Sequence, residues 1–427
     1  MAASTVDDTI VALSSGRLPA AIAIVRTSGP AALEAAELLA GSLGSERTAQ
    51  LRALRDPRDG SLIDHAILLT FTAPNTSTGQ DIVEYQCHGG RAVVAALIAA
   101  LTSIDRIRAA EPGEFTRRAL ANGKIDLTQA EGLAELLEAE TEAQRKSALA
   151  RSQGALRVRL EQWRAAVLAC SAELEVAIDY SDEEDGAGAT DVAPQLGRIA
   201  GEMSDLLAAP RVEKLRDGVR VVIAGPPNSG KSSLFNALAG QERAIVTAIA
   251  GTTRDRIEAA LAFDRLAVVL VDTAGLRHTA DPVERIGVDL ARREVAEADI
   301  LVWLGGKDGK PAHPRVLVVT TKADLGGGFE GLRVSSSSGA GISALKSAIA
   351  QIGADVVPAK SQLALNAREA DLLGECRDAL TRALQVGDPV LCAEEVRAAR
   401  YALDTISGRG GVEELLDTLF ARFCLGK

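Results

Sequence analysis

Aromatic residues are scarce in this chain of 427 residues, at 3%. A core poor in rings is closed by small and branched side chains, and the dominance of Ala and Leu points to closely packed helices. Cysteine is scarce too: Cys87, Cys170, Cys376, Cys392 and Cys424 stand far apart and form no Cys-x-x-Cys pair. That excludes a disulfide framework and a cysteine zinc site, and it fits a reducing compartment. Positive charge is not in excess, since 47 Lys and Arg face 58 Asp and Glu for a formal net charge of −11. A surface coated in basic residues for unspecific nucleic-acid binding is therefore excluded, although a local patch is not. The first residues, Met1–Ile10, hold two aspartates and no basic cluster, unlike a secretory signal. The longest apolar stretch, about 92–101, falls short of the ~18 residues a membrane span needs. The expectation is a soluble, cytoplasmic protein with no membrane association.

A chain of this length exceeds one ordinary core, so two or three domains are expected, and a hydrophobic share of 47% supplies material for them. Up to about Phe115, short β-branched runs alternate with Ala-rich ones. Ala20–Arg26, Ala66–Thr72 and Ile82–Cys87 read as strands, Gly29-Pro30 leads into an Ala/Leu helix, and 92–101 reads as a second helix. From Thr116 the pattern turns helical, with Ala130, Leu133, Ala134 and Leu137 on one face. It runs past Trp163 to about Ile178, breaks at an acidic loop over Ser181–Pro194, and resumes over Gln195–Leu215. The same style returns after about Ile349, where Leu373, Cys376, Leu380 and Ala383 share a face, as do Val412, Leu415, Leu416, Leu419 and Phe423. Between these flanks, Val219–Ala224, Ala267–Val271, Ile300–Leu304 and Val316–Thr320 are apolar strands separated by helical segments, the alternation of a parallel sheet. Flanks that pack together make the middle piece an insertion, which is tolerated where entry and exit lie close. The expected fold class is multidomain α/β plus all-α. It comprises an N-terminal α+β domain (1–115), a helical bundle in two parts (116–212 and 349–427), and a parallel-sheet α/β domain (213–348) inserted in the bundle.

Gly225-Pro226-Pro227-Asn228-Ser229-Gly230-Lys231-Ser232 fits GxxxxGK[ST], directly after a strand and before a helix. Glycine allows the backbone angles that aim successive N–H groups at phosphate oxygens, and the helix N-terminus adds its dipole. Asn228–Ser233 are thus candidate GTP contacts, with Lys231 reaching the β- and γ-phosphates and Ser232 offering a hydroxyl to Mg²⁺. Three further elements follow in the order a GTPase requires. Gly251-Thr252-Thr253-Arg254-Asp255 lies in a loop after the first helix, where Thr253 completes the Mg²⁺ ligands; Thr247, Ala248, Ile249 and Ala250 precede it. Asp272-Thr273-Ala274-Gly275 ends a strand, so that Asp272 holds a Mg²⁺-bound water and Gly275 presents its N–H to the γ-phosphate. Thr321-Lys322-Ala323-Asp324 follows Val316–Thr320, and Asp324 accepts from guanine N1–H and the exocyclic amine. Adenine lacks that donor pair and leaves the carboxylate unsatisfied, a penalty of ~1–3 kcal/mol. Ser335, Ser336 and Ser337 form the loop over guanine O6. Thr321 stands where most GTPases carry Asn; being shorter, it is expected to loosen guanine binding somewhat, while Asp324 keeps the base preference. Any one element could arise by chance, but four in order point to a GTPase and make the inserted piece (213–348) a Ras-like P-loop G domain.

The chain also resembles, essentially end to end, the MnmE (TrmE) family of tRNA modification GTPases. The stretches that carry the resemblance are Ala23–Gly29, Thr78–Gly90, Pro112–Leu127, Gly225–Leu234, Ile245–Asp255 and Asp272–Arg277. The ending Phe423-Cys424-Leu425-Gly426-Lys427 is similar to the family's C-terminal Cys-x-Gly-Lys, a more specific mark than a phosphate loop. The resemblance implies an N-terminal domain that binds a tetrahydrofolate derivative (5,10-methylene- or 5-formyl-) and forms a homodimer. It implies a flavin-containing partner, MnmG (GidA), in a heterotetramer that modifies the wobble uridine of certain tRNAs with a folate-derived carbon. It further implies folate contacts at Arg26, Glu84, Lys124 and Lys427, although each alone is an ordinary charged residue, and a possible chemical use for the Cys424 thiol.

Leu276 follows Gly275 where Ras-like enzymes carry a water-orienting Gln, and an aliphatic side chain cannot orient water. The resemblance assigns that role to Glu284, in Asp281–Gly287, acting through a second water. No arginine is positioned by the sequence as a finger, although Arg254 is near. The family instead sets K⁺ against the phosphates, on Asn228 and on oxygens of Thr247, Ile249 and Thr252; Ala248 replaces an acidic residue frequent there. Cys87-His88 has no further ligands after it and is assigned no metal. Two rival readings are a switch GTPase for ribosome assembly and a G domain coupled to membrane transport. The first does not need the N-terminal domain or the Cys424–Lys427 tail, and the second lacks a membrane span.

Overall fold

The computed structural model describes residues 8–139, 141–179, 191–240, 258–263, 266–272, 293–306, 309–325, 331–358, 363–409, 416, 419–420, 423 and 426. The chain divides into two compact units, 1–134 with 152–158 and 404–427, and 135–151 with 159–403.

The first unit is built on a six-stranded sheet of order β3-β4-β5-β2-β1-β6. Its strands are β1 (Thr9–Leu13), β2 (Ala20–Ser28), β3 (Gln50–Arg55), β4 (Leu62–Phe71), β5 (Ile82–Gly89) and β6 (Ile107–Ala109). All neighbours are antiparallel except β1 and β6. Strand alternation divides the side chains between two faces. Val11, Val25, Leu54, Ala66, Leu68, Val83, Tyr85 and Cys87 point to one face, which α1 (Ala32–Ala40) and α2 (Arg91–Thr102) cover. The opposite face carries Ala12, Arg26 and Glu84 in register, and there α3 (Glu114–Ala121) adds Phe115 to a small cluster with Ile10, Ala12 and Ala110. The expected strands and helices are present. β1, β3 and β6 were not anticipated, because runs of three to six residues are too short to give a periodic signal. In α4 (Leu127–Glu138) the expected face is only partly right: Ala130 is buried, but Leu137 is 42% exposed.

In the second unit, α5 (Glu142–Ser152), α6 (Ala155–Asp179), α7 (Ala193–Leu207), α12 (Ala367–Ala383) and α13 (Pro389–Ile406) supply the helical part. Leu160, Trp163, Val167, Cys170 and Leu174 recur at alternating intervals of three and four and are all buried. The indole of Trp163 donates to Glu202 Oε2 of α7 at 2.8 Å. Leu373, Cys376, Leu380 and Ala383 are buried on α12, as their spacing requires. The helix expected over Gln195–Leu215 instead ends at Leu207 and restarts as the single turn α8 (Glu213–Arg216), because Pro210 cannot donate to a continuing helix.

Between α8 and α12 lies a second six-stranded sheet of order β12-β11-β10-β7-β9-β8. It comprises β7 (Val219–Ala224), β8 (Glu258–Phe263), β9 (Leu266–Asp272), β10 (Ile300–Trp303), β11 (Val316–Thr320) and β12 (Leu332–Arg333), all parallel except the edge strand β8. One face packs on α9 (Lys231–Ala239) and α11 (Ile342–Gly353); the other carries Val295 and Ala298, in and just after the short helix 293–297 (α10). The insertion has adjacent ends: Val212 N donates to Leu365 O at 3.0 Å, and Ala367 N to Glu213 Oε1 at 2.6 Å.

Candidate functional site

The phosphate loop leaves the C-terminal end of β7. A side chain at Gly225 would put its Cβ 2.8 Å from Leu304 O, so only glycine lets the loop pass that close. Asn228 at φ +61 and Gly230 at φ +89 turn the backbone through the left-handed region, and Gly230 caps α9. Lys231 is 8% exposed, and its ammonium donates to Gly225 O at 3.1 Å and Pro226 O at 2.9 Å, which spans the loop. Ser229 lies inside the loop, while Ser232 and Ser233 are exposed in the first turn of α9. Asp272, 2% exposed, closes β9 opposite Ile223, beside the start of the loop.

At the end of β11, Thr321 Oγ1 donates to Ser229 O at 2.7 Å. The threonine is long enough to join the loop after β11 to the loop after β7. Lys322 turns at φ +58 into a 3-10 turn at Ala323–Leu325 that presents Asp324. The loop after β12 is zipped to it by Val334 N to Thr320 O at 2.9 Å and Ala323 N to Val334 O at 3.1 Å. Ser335, almost fully buried, shares a 2.9 Å hydrogen bond with Ser337, whose hydroxyl also donates to Asp324 Oδ2 at 3.3 Å. These hydroxyls, that of Ser335 foremost, hold the Asp324 carboxyl below its ordinary range. The carboxylate stays ionised and acceptor-only, as two guanine donors require. Ser336 is partly buried beside them. Residues 247–253, Thr273–Gly275 and Glu284 lie outside the described residues.

In the first unit the structure brings Arg26 and Glu84 together. Register places them opposite each other, and Arg26 donates to Glu84 Oε1 from Nε at 3.0 Å and from Nη2 at 2.7 Å. The guanidinium also stands 5.8 Å from the Phe115 ring centroid. Ser28, two residues along the same face, bonds the Thr78 hydroxyl at 2.8 Å; Thr78 O in turn accepts from Asn122 Nδ2 at 2.7 Å. Lys124 lies against the same loop, its Cε 3.1 Å from where a Cβ on Gly79 would stand. Ser14, just beyond β1, donates to Gly426 O at 2.9 Å, which sets Gly426 beside the end of β1. Cys424 and Lys427 themselves lie outside the described residues. Cys87 and His88 point to opposite faces of β5: Cys87 is buried in the core, and His88 Nδ1 bonds Asp64 Oδ1 at 2.8 Å.

Glu114 and Arg118, within Pro112–Leu127, carry no role that the sequence alone assigned. Both are buried, 3.0 Å apart, and Arg118 reaches Gln80 Oε1 at 3.1 Å in the loop that carries Thr78. Opposite charges four residues apart on one helix were the available signal.

Known proteins match the chain over its length. The family description "MnmE helical domain" matches residues 127–424, and "GTP-binding protein TrmE N-terminus" matches residues 9–124. The tRNA modification GTPase MnmE of Novosphingobium aromaticivorans is 47% identical over 98% of this chain and 100% of its own. The chain belongs to the MnmE family of tRNA modification GTPases. The MnmE of Rhizorhabdus wittichii is 48% identical over 99% of this chain and 98% of its own. Among solved structures, the G domain of the T. maritima FeoB iron transporter is 24% identical over 31% of this chain and 98% of its own, with a TM-score of 0.24. As a family member the chain is a GTP-binding GTPase of tRNA modification. No described helix is long and apolar enough to cross a membrane.

Proposed function

We propose that this chain hydrolyses GTP, with Mg²⁺ and K⁺, to drive modification of the wobble uridine at C5 of certain tRNAs. It does so as a homodimer with a flavin-containing MnmG partner, using a one-carbon unit carried on tetrahydrofolate. The observation that carries the reading is the end-to-end kinship: 47% identity over 98% of the chain covers the phosphate loop, the N-terminal face and the tail together. Residues 1–115 would hold folate and the dimer contact, 116–212 and 349–427 the helical scaffold, and 213–348 the nucleotide.

The residues fit these groups. The turn Gly225–Gly230 aims N–H groups inward ahead of a helix N-terminus, and Lys231 adds a cation, so the loop suits a polyphosphate. Buried Asp272 beside Ser232's helix suits Mg²⁺, with Thr253 as second hydroxyl; when bound, the metal offsets charge on the phosphate oxygens. Asn228 is exposed at the loop's tightest turn, open to K⁺ together with Thr247, Ile249 and Thr252. Asp324, Thr321 and Ser335–Ser337 orient guanine. Glu284 orients the attacking water. For a pterin, Glu84 supplies an acceptor and Arg26 and Lys124 supply cations for the glutamate tail, with Lys427 completing the set and Cys424 near the chemistry. The open half of the face, where Leu51 stands opposite Ile67, supports the dimer: they are 68% and 38% exposed, with Ile22 at 61% nearby.

Mass spectrometry of tRNA wobble uridines from cells lacking this protein decides the reading: C5-modified uridine should disappear, and unchanged uridine would defeat it. Turnover should be severalfold higher in KCl than in NaCl at equal ionic strength, and Asn228→Ala should abolish that preference. Equal rates in the two salts would remove K⁺ from the mechanism.

A further inference from the structure

Two elements follow the nucleotide loops and rejoin the sheet. β8 begins at Glu258, soon after residues 247–253, and α10 follows Asp272–Gly275 and Glu284. Both meet one cation. Arg220 of β7 donates through Nη2 to Glu258 Oε1 at 3.1 Å and, through the same nitrogen, to Glu294 Oε2 of α10. Glu294 is 2% exposed. Strand register explains the meeting. Arg220 stands opposite Val269 and Glu258 opposite Val271, so both charges rise from the sheet face that Val295 and Ala298 cover.

The base of Arg220 is held separately. Its N–H donates to Asp299 Oδ2 at 2.9 Å, its carbonyl accepts from Asp299 N at 2.9 Å, and Lys214 of α8 pairs with Asp299 at 2.8 Å. The guanidinium therefore works from a fixed anchor. It neutralises two carboxylates that would otherwise face one another, one of them in the interior, where like charges repel most strongly.

We propose that Arg220 is a positioning residue for GTP hydrolysis: it locks β8 and α10 into one relative arrangement and so sets both nucleotide loops that lead into them. The inference rests on the reading of those loops as parts of the GTP site. Arg220 stands near the N-terminal start of β7, whereas the phosphate loop leaves the C-terminal end of that strand, so its effect belongs to turnover rather than to ground-state affinity.

The experiment uses the full chain with Mg²⁺ and K⁺. Saturating GTP turnover, affinity for a fluorescent GTP analogue and thermal midpoint are compared for wild type, Arg220→Gln, Arg220→Lys and Arg220→Gln/Glu294→Gln. Arg220→Gln should lower kcat about tenfold with analogue affinity within about twofold. Arg220→Lys should recover part of the rate. The double variant removes the carboxylate repulsion and should regain the thermal midpoint without regaining kcat. Recovery of kcat along with the midpoint would mean a merely structural arginine and overturn the proposal, as would parallel loss of affinity and rate. Lys231→Ala serves as the control on the site itself: if it binds the analogue normally, the reading of the loops fails, whatever Arg220 does.

Discussion

Thr321 shows how one hydroxyl joins two loops that are far apart in the chain. Its bond to Ser229 O ties the loop that carries Asp324 to the loop that carries Lys231. Thr321→Ala removes the donor and leaves a carbonyl inside the phosphate loop without it. At about 1 kcal/mol for such a bond, GDP affinity should fall roughly fivefold, while Thr321→Asn should hold wild-type affinity. Titration calorimetry with GDP tests this; an alanine variant that binds as tightly as wild type would show the tether to be idle. At this scale the phosphate loop and Asp324 were legible in the sequence because their chemistry is packed into a few consecutive residues. The Thr321–Ser229 bond was not, since it joins positions 92 residues apart and has no motif of its own.

At the scale of elements, the start of α12 gathers several constraints on one side chain. Asn366 and Glu369 cap each other's backbone, and Glu369 also takes Arg151 of α5 in two parallel bonds of 2.9 Å. Burial works to raise the Glu369 carboxyl, but Arg151 and the Asn366 amide hold it below the ordinary range. A carboxyl with a depressed folded value contributes stability that is full above the unfolded value of about 4.3 and is lost as pH falls through the folded value. Urea midpoints of the wild type should therefore drop below about pH 4, and Glu369→Gln should flatten that limb. At neutral pH, Glu369→Ala should cost about 3 kcal/mol, since the buried guanidinium keeps only Glu135 as counter-ion, whereas Arg151→Met/Glu369→Leu should regain most of the loss. A single variant as stable as wild type would show that the pair contributes nothing. The helical faces on α6 and α12 were legible because long amphipathic repeats leave a periodic trace. The break before α8 could have been read from Pro210. The edge strand β8 could not: its six residues, Glu258–Phe263, carry neither period.

For the whole molecule, the inserted G domain could be anticipated from the return of helical pattern after Ile349. The place of the final segment could not. Residues 404–427 belong with the N-terminal unit through contacts such as Gly113 against Phe420, where a Cβ would come 2.8 Å from a carbonyl, and periodicity says nothing of such partners. The exposed apolar half of the first sheet bears on assembly. Leu51→Asp with Ile67→Asp places two charges on that face without touching the buried core, so the unit should keep its fold. Sedimentation should show the variant sedimenting as a monomer where the wild type sediments as a dimer. A variant that still pairs would move the interface elsewhere.

The order in which these partners are synthesised follows from the same connectivity. Arg151 and Glu369 are 218 residues apart, so at roughly 5–20 residues per second Arg151 waits on the order of 10–40 s for its counter-ion. The inserted sheet, by contrast, draws all its strands from one uninterrupted stretch and can close during that wait. The hydroxyl of Ser14 waits longer still. Its acceptor on Gly426 lies 412 residues downstream, so this contact of the first unit closes only after the whole inserted sheet has been made.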